Sequence, residues 1–414
     1  YKVTGVQTCA LPISAAIVDG ISGDTLKLSV ATGASEAEEL DHGIAVVESF
    51  SNVVSFDTDD GLVLFDVSHM LSAPQVIEQL RRHTESPVHT AVYTHGHTDH
   101  VGGARAFDAD AEKRGHRAIS WVGHEAIAAR FDRYKMTNGY NGHINMRQFR
   151  LPSPAFPSDF VYPEITYRDQ TSLDVAGRRF ELHHARGETD DHTWAWVPDA
   201  KAVVVGDFFI WQFPNAGNPQ KVQRYALDWA VALREMAALD PELMLPAHGP
   251  AIGGRERVAM VLNDTATALE HLHDSTLAMM NAGARLDDII HTVKLPDELA
   301  AKPYLRSTYD EPEFVVRNIW RLYGGWYDGN PANLKPARDV DLAREMAALA
   351  GGADVLARRG EAVAADGDLR LACHLVEMAA LAEPESPTIH AIRAAVYEQR
   401  RRSETSLKIG RAHV

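Results

Sequence analysis

One seven-residue segment constrains the fold of this chain more than any other feature. The segment is Thr94-His95-Gly96-His97-Thr98-Asp99-His100, and it directly follows a run with the composition of a β-strand. Four of its last six residues have side chains that can bind a metal. A chain that leaves a strand in a tight loop can turn His95 and His97 to one side. Asp99 and His100 then project toward an adjacent point, so two neighbouring cations are within reach. The following Gly102-Gly103 predicts close packing where the next helix begins.

Four side chains from one loop cannot saturate two metals, so the other ligands have to come from the ends of later strands. Glu188 follows the strand candidate Arg179 to His183. Asp207 ends the apolar run Ala202 to Gly206, where a carboxylate could bridge two cations, and His248 follows another short apolar run. Each of the three is a polar residue at the carboxyl end of a predicted strand.

Composition excludes several other functions. The net charge is −16, from 41 basic and 57 acidic residues, which is the wrong sign for a protein that binds nucleic acid. No apolar run approaches the ~18 residues of a membrane span, so no transmembrane segment is expected. Two cysteines are too few for a disulfide framework or a thiolate cage, whereas 20 histidines leave imidazole and carboxylate as the metal chemistry.

The two ends of the chain are related through DNA. One back-translation of residues 409–414, read as its reverse complement in a shifted frame, contains the codons of Thr8 to Pro12 and parts of the flanking codons of Gln7 and Ile13. Such an inverted repeat resembles sequencing-adapter DNA translated in frame, so residues 1–13 and 409–414 are expected to be foreign to the natural protein. On this expectation Cys9 is not native, and the chain says nothing about a signal peptide or a further C-terminal domain. The localisation is therefore left open between cytoplasm and periplasm.

Short apolar runs alternate with helical ones in the first part of the chain, which predicts a layered α/β domain over residues 14–255. Asp59-Asp60-Gly61 lies between two β-rich runs and predicts a hairpin. The predicted helices are Ala73 to Arg82 and Ala226 to Leu239, and a loop rich in glycine and asparagine is predicted over Asn138 to Asn145. The predicted strands are Val53 to Phe56, Leu62 to Asp66, His89 to Thr94, Ala118 to Val122, Arg179 to His183, Thr193 to Val197, Ala202 to Val205 and Leu243 to Pro246.

Strands disappear after residue 255, and Ala, Leu, Met and Glu recur at helical spacing, which predicts an all-α domain over residues 256–408. Cys373, in one of these helices, is expected to be a buried core residue. The predicted helices are Arg257 to Met280, Leu286 to Val293, Glu313 to Tyr323, Asp341 to Ala350, Ala353 to Ala365, Leu369 to Ala382 and Pro387 to Arg402.

The ligand loop and the three later positions resemble the metallo-β-lactamase superfamily. The resemblance implies an αββα sandwich that holds one or two metals. Most members have His at the position of Glu188. Glutamate there, with Asp207 nineteen residues later, resembles the alkyl sulfatase branch, and the segment Tyr323 to Pro331 resembles a motif of the alkyl sulfatase dimerisation domain.

Membership of that branch would imply two zinc ions. One would be held by His95, His97 and Glu188, and Asp207 would lie near or between the ions. The other zinc would be held by the remaining three positions, namely Asp99, His100 and His248.

Further residues carry predicted roles around the metals. Asp66 matches the superfamily's buried Asp beneath the ligand loop, where it could orient a His; a simple turn residue is the equal alternative. Asp99 and His192 are the predicted catalytic residues, with His192 as an acid or base. The predicted substrate-binding residues are Asn141, His143, Lys221 and Arg224. Gln220 departs from the family, which has an Arg near this position for sulfate, and an apolar wall for an alkyl tail could come from Trp194, Trp196, Trp211 and Phe213.

These features predict a binuclear zinc hydrolase, dimeric through its helical half, that cleaves an alkyl sulfate ester by attack of a metal-bound hydroxide. The nearest alternative keeps the site and changes the substrate to a phosphodiester, lactone, thioester or β-lactam. Two other classes stay open: an iron redox protein, and an interaction module with a vestigial site. The expected partners are a small anionic ester and a second copy of the chain, with no nucleic acid.

Overall fold

A computed structural model of the chain describes residues 10–20 and 33–412. Of the end segments expected to be foreign, residues 1–9, with Cys9, and residues 413–414 lie outside the described residues. Residues 10–13 and 409–412 are helical. Among the helices of the described residues, none combines the length and the apolar character needed to cross a bilayer.

Within the described residues, seven strands form the first sheet. They are β1 (Glu38–Leu40), β2 (Ile44–Val47), β3 (Val53–Thr58), β4 (Gly61–Phe65), β5 (Val88–Val92), β6 (Ser120–His124) and β7 (Ile165–Tyr167), and they lie side by side in chain order. β1 to β4 pair antiparallel, whereas β4 to β7 pair parallel. The predicted hairpin is confirmed, since Thr58 pairs with Gly61 at the turn between β3 and β4.

Six strands form the second sheet, in the order β13-β12-β11-β10-β9-β8. They are β8 (Gln170–Val175), β9 (Arg178–His184), β10 (Thr193–Val197), β11 (Ala202–Gly206), β12 (Leu243–Pro246) and β13 (Ile252–Gly253). Only β11 and β12 pair parallel; the other neighbours are antiparallel.

The helices fall into two sets. Those of the first half are α1 (Ala10–Val18), α2 (Ala73–His83), α3 (Thr98–Val101), α4 (Ala104–Arg114), α5 (Ala126–Met136), α6 (Asn138–Phe149) and α7 (Ala226–Ala238). Those of the second half are α8 (Arg255–Asn281), α9 (Leu286–Thr292), α10 (Asp297–Ala300), α11 (Pro312–Gly324), α12 (Asp339–Ala350), α13 (Ala353–Ala365), α14 (Leu369–Ala382), α15 (Pro387–Ser403) and α16 (Leu407–Ala412).

The first half is the predicted αββα sandwich. Val63 and Phe65 of β4 pack between the two sheets, whereas Leu62 and Leu64 of the same strand face the helices α2 and α4. The alternation explains why β4 reads as a continuous apolar run, because both of its faces are buried. A third cluster fills the space between the second sheet and helices α7 and α8.

The predicted loop over residues 138–145 is wrong, because this segment is the start of α6. Ile144 is buried, and a side chain at Gly142 would meet Pro154 at 3.2 Å, so packing holds the segment helical despite the low helix propensity of Gly and Asn. The sequence also did not reveal β7 and β8, whose residues are mostly exposed and polar. Cys373 is buried, as predicted.

Candidate metal centre

The ligand loop leaves β5 and crosses the edge where several other strands end. His95 and His100 are fully buried, and His97 and Asp99 are partly exposed. Glu188 lies in the connection between β9 and β10, Asp207 follows β11 directly and His248 follows β12. All seven predicted ligands therefore meet at one edge of the sandwich.

The seven side chains form two groups. Within each group, one nitrogen or oxygen atom per residue lies within 4.8 Å of all the others. One group is His95, His97, Glu188 and Asp207, and the other is Asp99, His100 and His248. This grouping matches the division that the resemblance implied.

Asp207 faces both groups with different oxygen atoms. Its Oδ2 lies 3.8 Å from Nε2 of His95, whereas its Oδ1 lies 3.4 Å from Nε2 of His100 and 3.3 Å from Nε2 of His248. The preceding Gly206 has a φ of 53°, and a side chain there would approach His192 Nε2 within 2.7 Å. The turn that aims Asp207 at the centre therefore requires glycine.

The cluster fits a bound cation. Nε2 of His100, Oε2 of Glu188 and Oδ1 of Asp207 are buried and have no hydrogen-bond partner in the described part of the chain. Buried polar atoms normally find partners, so these three atoms within the two neighbouring groups fit the coordination of a positive ion. Burial, followed by the neighbouring cationic groups, lowers the pKa of His95 and of His97 well below the ordinary value. A lowered pKa favours the neutral imidazole, which is the form of histidine that binds a metal. Nε2 of His95 and Nδ1 of His97 lie 2.8 Å apart, so the two rings point at the same place.

Asp66 holds His100 in place. Its Oδ2 lies 2.7 Å from Nδ1 of His100, and its two oxygens accept the backbone N–H and the hydroxyl of Thr94 at 2.7 Å each. Burial works against a charge on His100, but the carboxylates of Asp207, Asp99 and Asp66 together raise its pKa well above the ordinary value. The structure thus shows the orienting hydrogen bond that was predicted for Asp66.

Glu188 is fixed through one of its two oxygens. Its Oε1 accepts hydrogen bonds from Nδ2 of Asn215 and from Nη1 of Arg224. Oε2 is left to face the metal group, 4.0 Å from Nδ1 of His97. Burial raises the pKa of Glu188 to about 6, against the opposing effect of Arg224. Arg224, predicted to bind substrate, is therefore engaged with a ligand of the centre.

His192 packs beside the centre, with its ring against His95 and its Nε2 bonded to the backbone of Asp207. Its ring is fully buried at 4.5 Å from that of His95, and its Nε2 accepts the backbone N–H of Asp207 at 3.2 Å. Burial lowers the pKa of His192 to about 3. The bond that the structure shows braces Asp207, and the acid or base role of His192 stays a prediction.

The other predicted substrate-binding residues differ in their surroundings. Nδ2 of Asn141 donates to the backbone oxygen and hydroxyl of Thr137, and His143 is exposed on α6. In the described residues, the ammonium of Lys221 has neither a hydrogen bond nor an ion pair. Burial, and next the charge of Arg224, lower the pKa of Lys221 to about 8, while Asp99 and Glu188 attract its proton. Lys221 is thus the predicted residue best placed to meet an anion.

Of the aromatic residues considered for an alkyl wall, Trp194, Trp211 and Phe213 are buried in the core beside α7 and α8, which corrects that expectation. Phe50 and Phe149 are placed differently. The ring of Phe50 lies 6.0 Å from that of His248, and Phe149, 42% exposed at the end of α6, lies 6.4 Å from Phe50. These two aromatic side chains, which the sequence did not single out, therefore lie next to His248.

Residues outside the ligand set also support the centre. Arg130 of α5 forms a buried ion pair with Asp191, with Nε and Oδ2 2.7 Å apart, and the same oxygen accepts the N–H of Gly96 at 3.1 Å. In the helical half, Nδ2 of Asn318 donates to the backbone oxygens of Ala216 and Arg224. No sequence motif marks these residues, because each acts through a partner that is far away in the chain.

Comparison with known proteins gives two family matches. A family model described as the metallo-β-lactamase superfamily matches residues 46–248, and one described as alkyl sulfatase dimerisation matches residues 285–412. Together they account for most of the chain.

Two proteins of similar sequence are alkylsulfatases of Pseudomonas. The chain is 28% identical to a linear primary-alkylsulfatase of Pseudomonas sp. (strain ATCC 19151), over 74% of this chain and 62% of that one. It is 26% identical to an (R)-specific secondary-alkylsulfatase of Pseudomonas sp., over 84% and 57%. It thus spans about three fifths of these relatives.

A solved structure shares the fold. It is the stereoselective inverting sec-alkylsulfatase Pisa1 from Pseudomonas sp., at 23% identity and a TM-score of 0.83, with 92% of this chain and 64% of that chain covered. The similarity extends through both the sandwich and the helical half.

Proposed function

The chain belongs to the metallo-β-lactamase superfamily, in its alkyl sulfatase branch, and from this premise we propose that it is a metal-dependent hydrolase of alkyl sulfate esters. The observation that carries the proposal is the convergence of seven ligand side chains in two groups, with three buried atoms left unpartnered. The names of the relatives support the substrate class, since those compared act as alkylsulfatases.

We assign two zinc ions to the centre. His95, His97 and Glu188 would hold one, while Asp207 would contact both because its two oxygens face different groups. The other zinc would be held by Asp99, His100 and His248. Imidazole and carboxylate ligands in this number suit zinc. Bound zinc would supply Lewis acidity, which makes water more acidic and offsets the charge of an anionic ester.

The protein's own groups complete the proposed reaction. Asp99 has 21% of its side chain exposed, against 7% for Asp207 and 2% for Glu188. It is therefore the carboxylate of the centre that substrate and water can reach, and we assign it the proton of the attacking water. Asp66 keeps His100 oriented during this step through its bond to Nδ1.

Two features would bind the ester. The ammonium of Lys221 would pair with the sulfate group, because this partly buried cation has no ion pair in the described residues around the centre. Phe50 and Phe149 would contact the alkyl tail, since they form an apolar surface that begins at His248. The site would therefore suit an amphiphilic ester, whose sulfate group would lie at the metals and whose alkyl tail would lie along Phe50 and Phe149.

We also propose that the protein is a homodimer through its helical half. Large apolar side chains are exposed there, which is unusual for a surface without a partner. They include Leu322, Tyr323, Trp326, Leu334, Leu342 and Leu349.

The direct test measures release of sulfate from decyl sulfate together with the zinc content of the same preparation. We expect about two zinc ions per chain and activity that a chelator abolishes and zinc restores. His95→Ala should lose activity, whereas His83→Ala, a change of the exposed histidine that ends α2, should keep it. A preparation that holds zinc but releases no sulfate would overturn the substrate assignment.

A parallel panel separates the competing substrates. We expect the sulfate ester to be cleaved faster than a phosphodiester, a lactone, a thioester or a β-lactam of similar size. Lys221→Met should raise KM for the sulfate ester and leave KM for the uncharged lactone unchanged, because only the first carries the charge that Lys221 would meet. If another of these compounds is cleaved faster than the sulfate ester, the proposed substrate is wrong and the proposed metal centre stands.

A further inference from the structure

The end of the helical half returns to the metal centre. After α15 the segment Thr405 to Lys408 runs beside residues 307–310, and its backbone and side chains bond to them. The N–H of Leu407 donates to the backbone oxygen of Thr308 at 2.8 Å, and the hydroxyl of Ser406 donates to the backbone oxygen of Tyr309 at 2.9 Å. Ser406 is 1% exposed, so this return segment is part of the folded core.

The return segment brings one lysine into the interior. Nζ of Lys408 lies 3.1 Å from Oδ1 of Asp310, and the two side chains are 7% and 0% exposed. The ammonium also lies 4.3 Å from the ring centroid of Tyr309. A lysine is rarely buried to this degree unless its charge is used, so its partners indicate its role.

The third partner of Lys408 leads to the metal centre. Nζ donates to Oδ1 of Asn215 at 2.5 Å, and Nδ2 of the same amide donates to Oε1 of Glu188. An amide has one acceptor and one donor end, so a cation on Oδ1 sets Nδ2 toward the carboxylate. With Oε1 engaged in this way, Oε2 of Glu188 is the oxygen left for the metal.

Asp310 reinforces the same arrangement from the other side. Its Oδ2 accepts the backbone N–H of Gly217 at 2.7 Å, two residues after Asn215. One buried carboxylate therefore pairs with Lys408 and anchors the loop that carries Asn215. Asp310 thus stabilises the charge of Lys408 and also fixes the loop that carries the amide of Asn215.

We propose that Lys408 is a positioning residue of the metal centre, acting through Asn215 on Glu188, so that the return segment of the helical half helps to build the site. This inference rests on the proposed role of Glu188 as a metal ligand. Partners that orient a ligand typically contribute ten- to a hundred-fold to metal affinity. We expect an effect of that size on the metal group that contains Glu188.

The test titrates the full-length, metal-depleted protein with zinc alone, in competition with a chromophoric chelator. Lys408→Met should weaken zinc binding about ten- to a hundred-fold at one site and leave the other site unchanged. Lys408→Arg should recover part of the loss because the charge is kept. A matched control is Lys302→Met, which breaks the ion pair of Lys302 with Asp264 in the same half of the protein and should leave both affinities unchanged.

A second variant separates positioning from simple support of the fold. Asn215→Ala should weaken the same site, and adding Lys408→Met to it should weaken that site no further, because the path runs through the amide. Full zinc affinity in folded Lys408→Met, with only a lower melting temperature, would overturn the inference. Additive losses in the double variant would do so too. If Lys408→Met does not fold, the comparison of Lys408→Arg with Asn215→Ala still decides: unchanged affinity in Asn215→Ala overturns the inference.

The outcome for Glu188→Gln distinguishes this inference from the proposed function. Reduced zinc affinity in Glu188→Gln but full affinity in Lys408→Met and Asn215→Ala would overturn the inference alone. Unchanged affinity in Glu188→Gln would overturn the inference together with the proposed centre. Sulfate release enters neither comparison, so a wrong substrate would leave the result intact.

Discussion

Arg130 and Asp191 form an ion pair that is buried on both sides, with 2% and 0% of their side chains exposed. The carboxylate oxygen that meets Arg130 also accepts the N–H of Gly96, in the middle of the ligand loop. A helix of the sandwich thus holds the loop between His95 and His97 through one charge pair. Burial of Asp191 favours its neutral form, but Arg130 lowers the pKa of Asp191 below its ordinary value, so the pair is ionised.

We predict that Arg130→Met strongly destabilises the protein, because it leaves the carboxylate of Asp191 buried without a positive charge beside it. Removing one member of a buried pair typically costs about 3–5 kcal/mol of the free energy of unfolding. The control is Arg105→Met, which breaks an exposed pair with Asp159 and should cost less than about 1 kcal/mol. Urea denaturation of both variants measures the difference, and equal losses would refute the buried pair's structural role.

Asp66 gives a prediction about the metal rather than about stability. Asp66→Asn keeps the size of the side chain but weakens the acceptor that holds Nδ1 of His100. We expect zinc affinity to fall about ten- to a hundred-fold at the site of His100. The control is Asp57→Asn, an exposed change on the adjacent strand β3, which should leave zinc affinity unchanged. A zinc titration of Asp66→Asn with wild-type affinity would show that His100 needs no such orientation.

The close packing predicted at Gly102-Gly103 is confirmed and leads to a second stability prediction. A side chain at Gly103 would lie 1.9 Å from the backbone oxygen of Val67. Gly103→Ala therefore forces the backbone to move and should cost at least about 1–3 kcal/mol. Gly139→Ala in α6 meets nothing within 4 Å and should stabilise the protein by up to about 1 kcal/mol, since Ala favours a helix. Thermal unfolding of the two variants should thus shift in opposite directions.

Removal of the metal should lower the stability of the wild-type protein. A ligand that binds only the folded state stabilises it by mass action, by about 2.7 kcal/mol when its free concentration is a hundred times its Kd. We expect a chelator to lower the melting temperature and zinc to restore it. The same chelator should change the melting temperature of His95→Ala less, because this variant keeps only the group of Asp99, His100 and His248 intact. An equal shift in both proteins would mean that zinc bound at the group of His95 does not stabilise the fold.

The sequence predicted the parts of the molecule that depend on local pattern. Thr193–Val197 and Leu243–Pro246 were predicted with the bounds that the structure shows, because short β-rich runs between polar residues are distinctive. The seven candidate ligand positions were singled out for a related reason: metal-binding side chains directly after apolar strands are rare by chance. The division of the loop into His95 with His97 and Asp99 with His100 followed from the pattern, whereas the assignment of Glu188 and His248 to these pairs followed from the resemblance.

The parts that the sequence did not reveal depend on distant partners. Nothing near Asn215 in the chain shows that its amide lies between Glu188 and Lys408, the second of which is 193 residues away. A basic residue in a loop, such as Arg224, is typical of a substrate-binding site. Only its buried bond to Glu188 shows that it instead holds a candidate metal ligand. Phe50 was overlooked because a single aromatic residue in a loop has no pattern until His248 is placed beside it.

The partly buried carboxyl of Glu311 predicts how stability depends on pH. Burial, and then the carboxylates of Glu404 and Asp310, raise the pKa of Glu311 from 4.5 to about 8; Glu313 adds to this effect and Lys408 opposes it. Between these two values the folded state keeps a proton that the unfolded state has lost. The free energy of unfolding therefore falls as the pH rises through this window.

Glu311→Gln should remove this contribution, because the amide is neutral in both states. We expect its stability to match the wild type near pH 4.5 and to exceed it increasingly toward pH 8, as measured by urea denaturation at half-unit intervals. Glu361→Gln, a change of an exposed glutamate on α13, should keep the wild-type slope. A variant at position 311 with the full wild-type slope would show that Glu311 ionises in the folded protein as readily as it does in the unfolded chain.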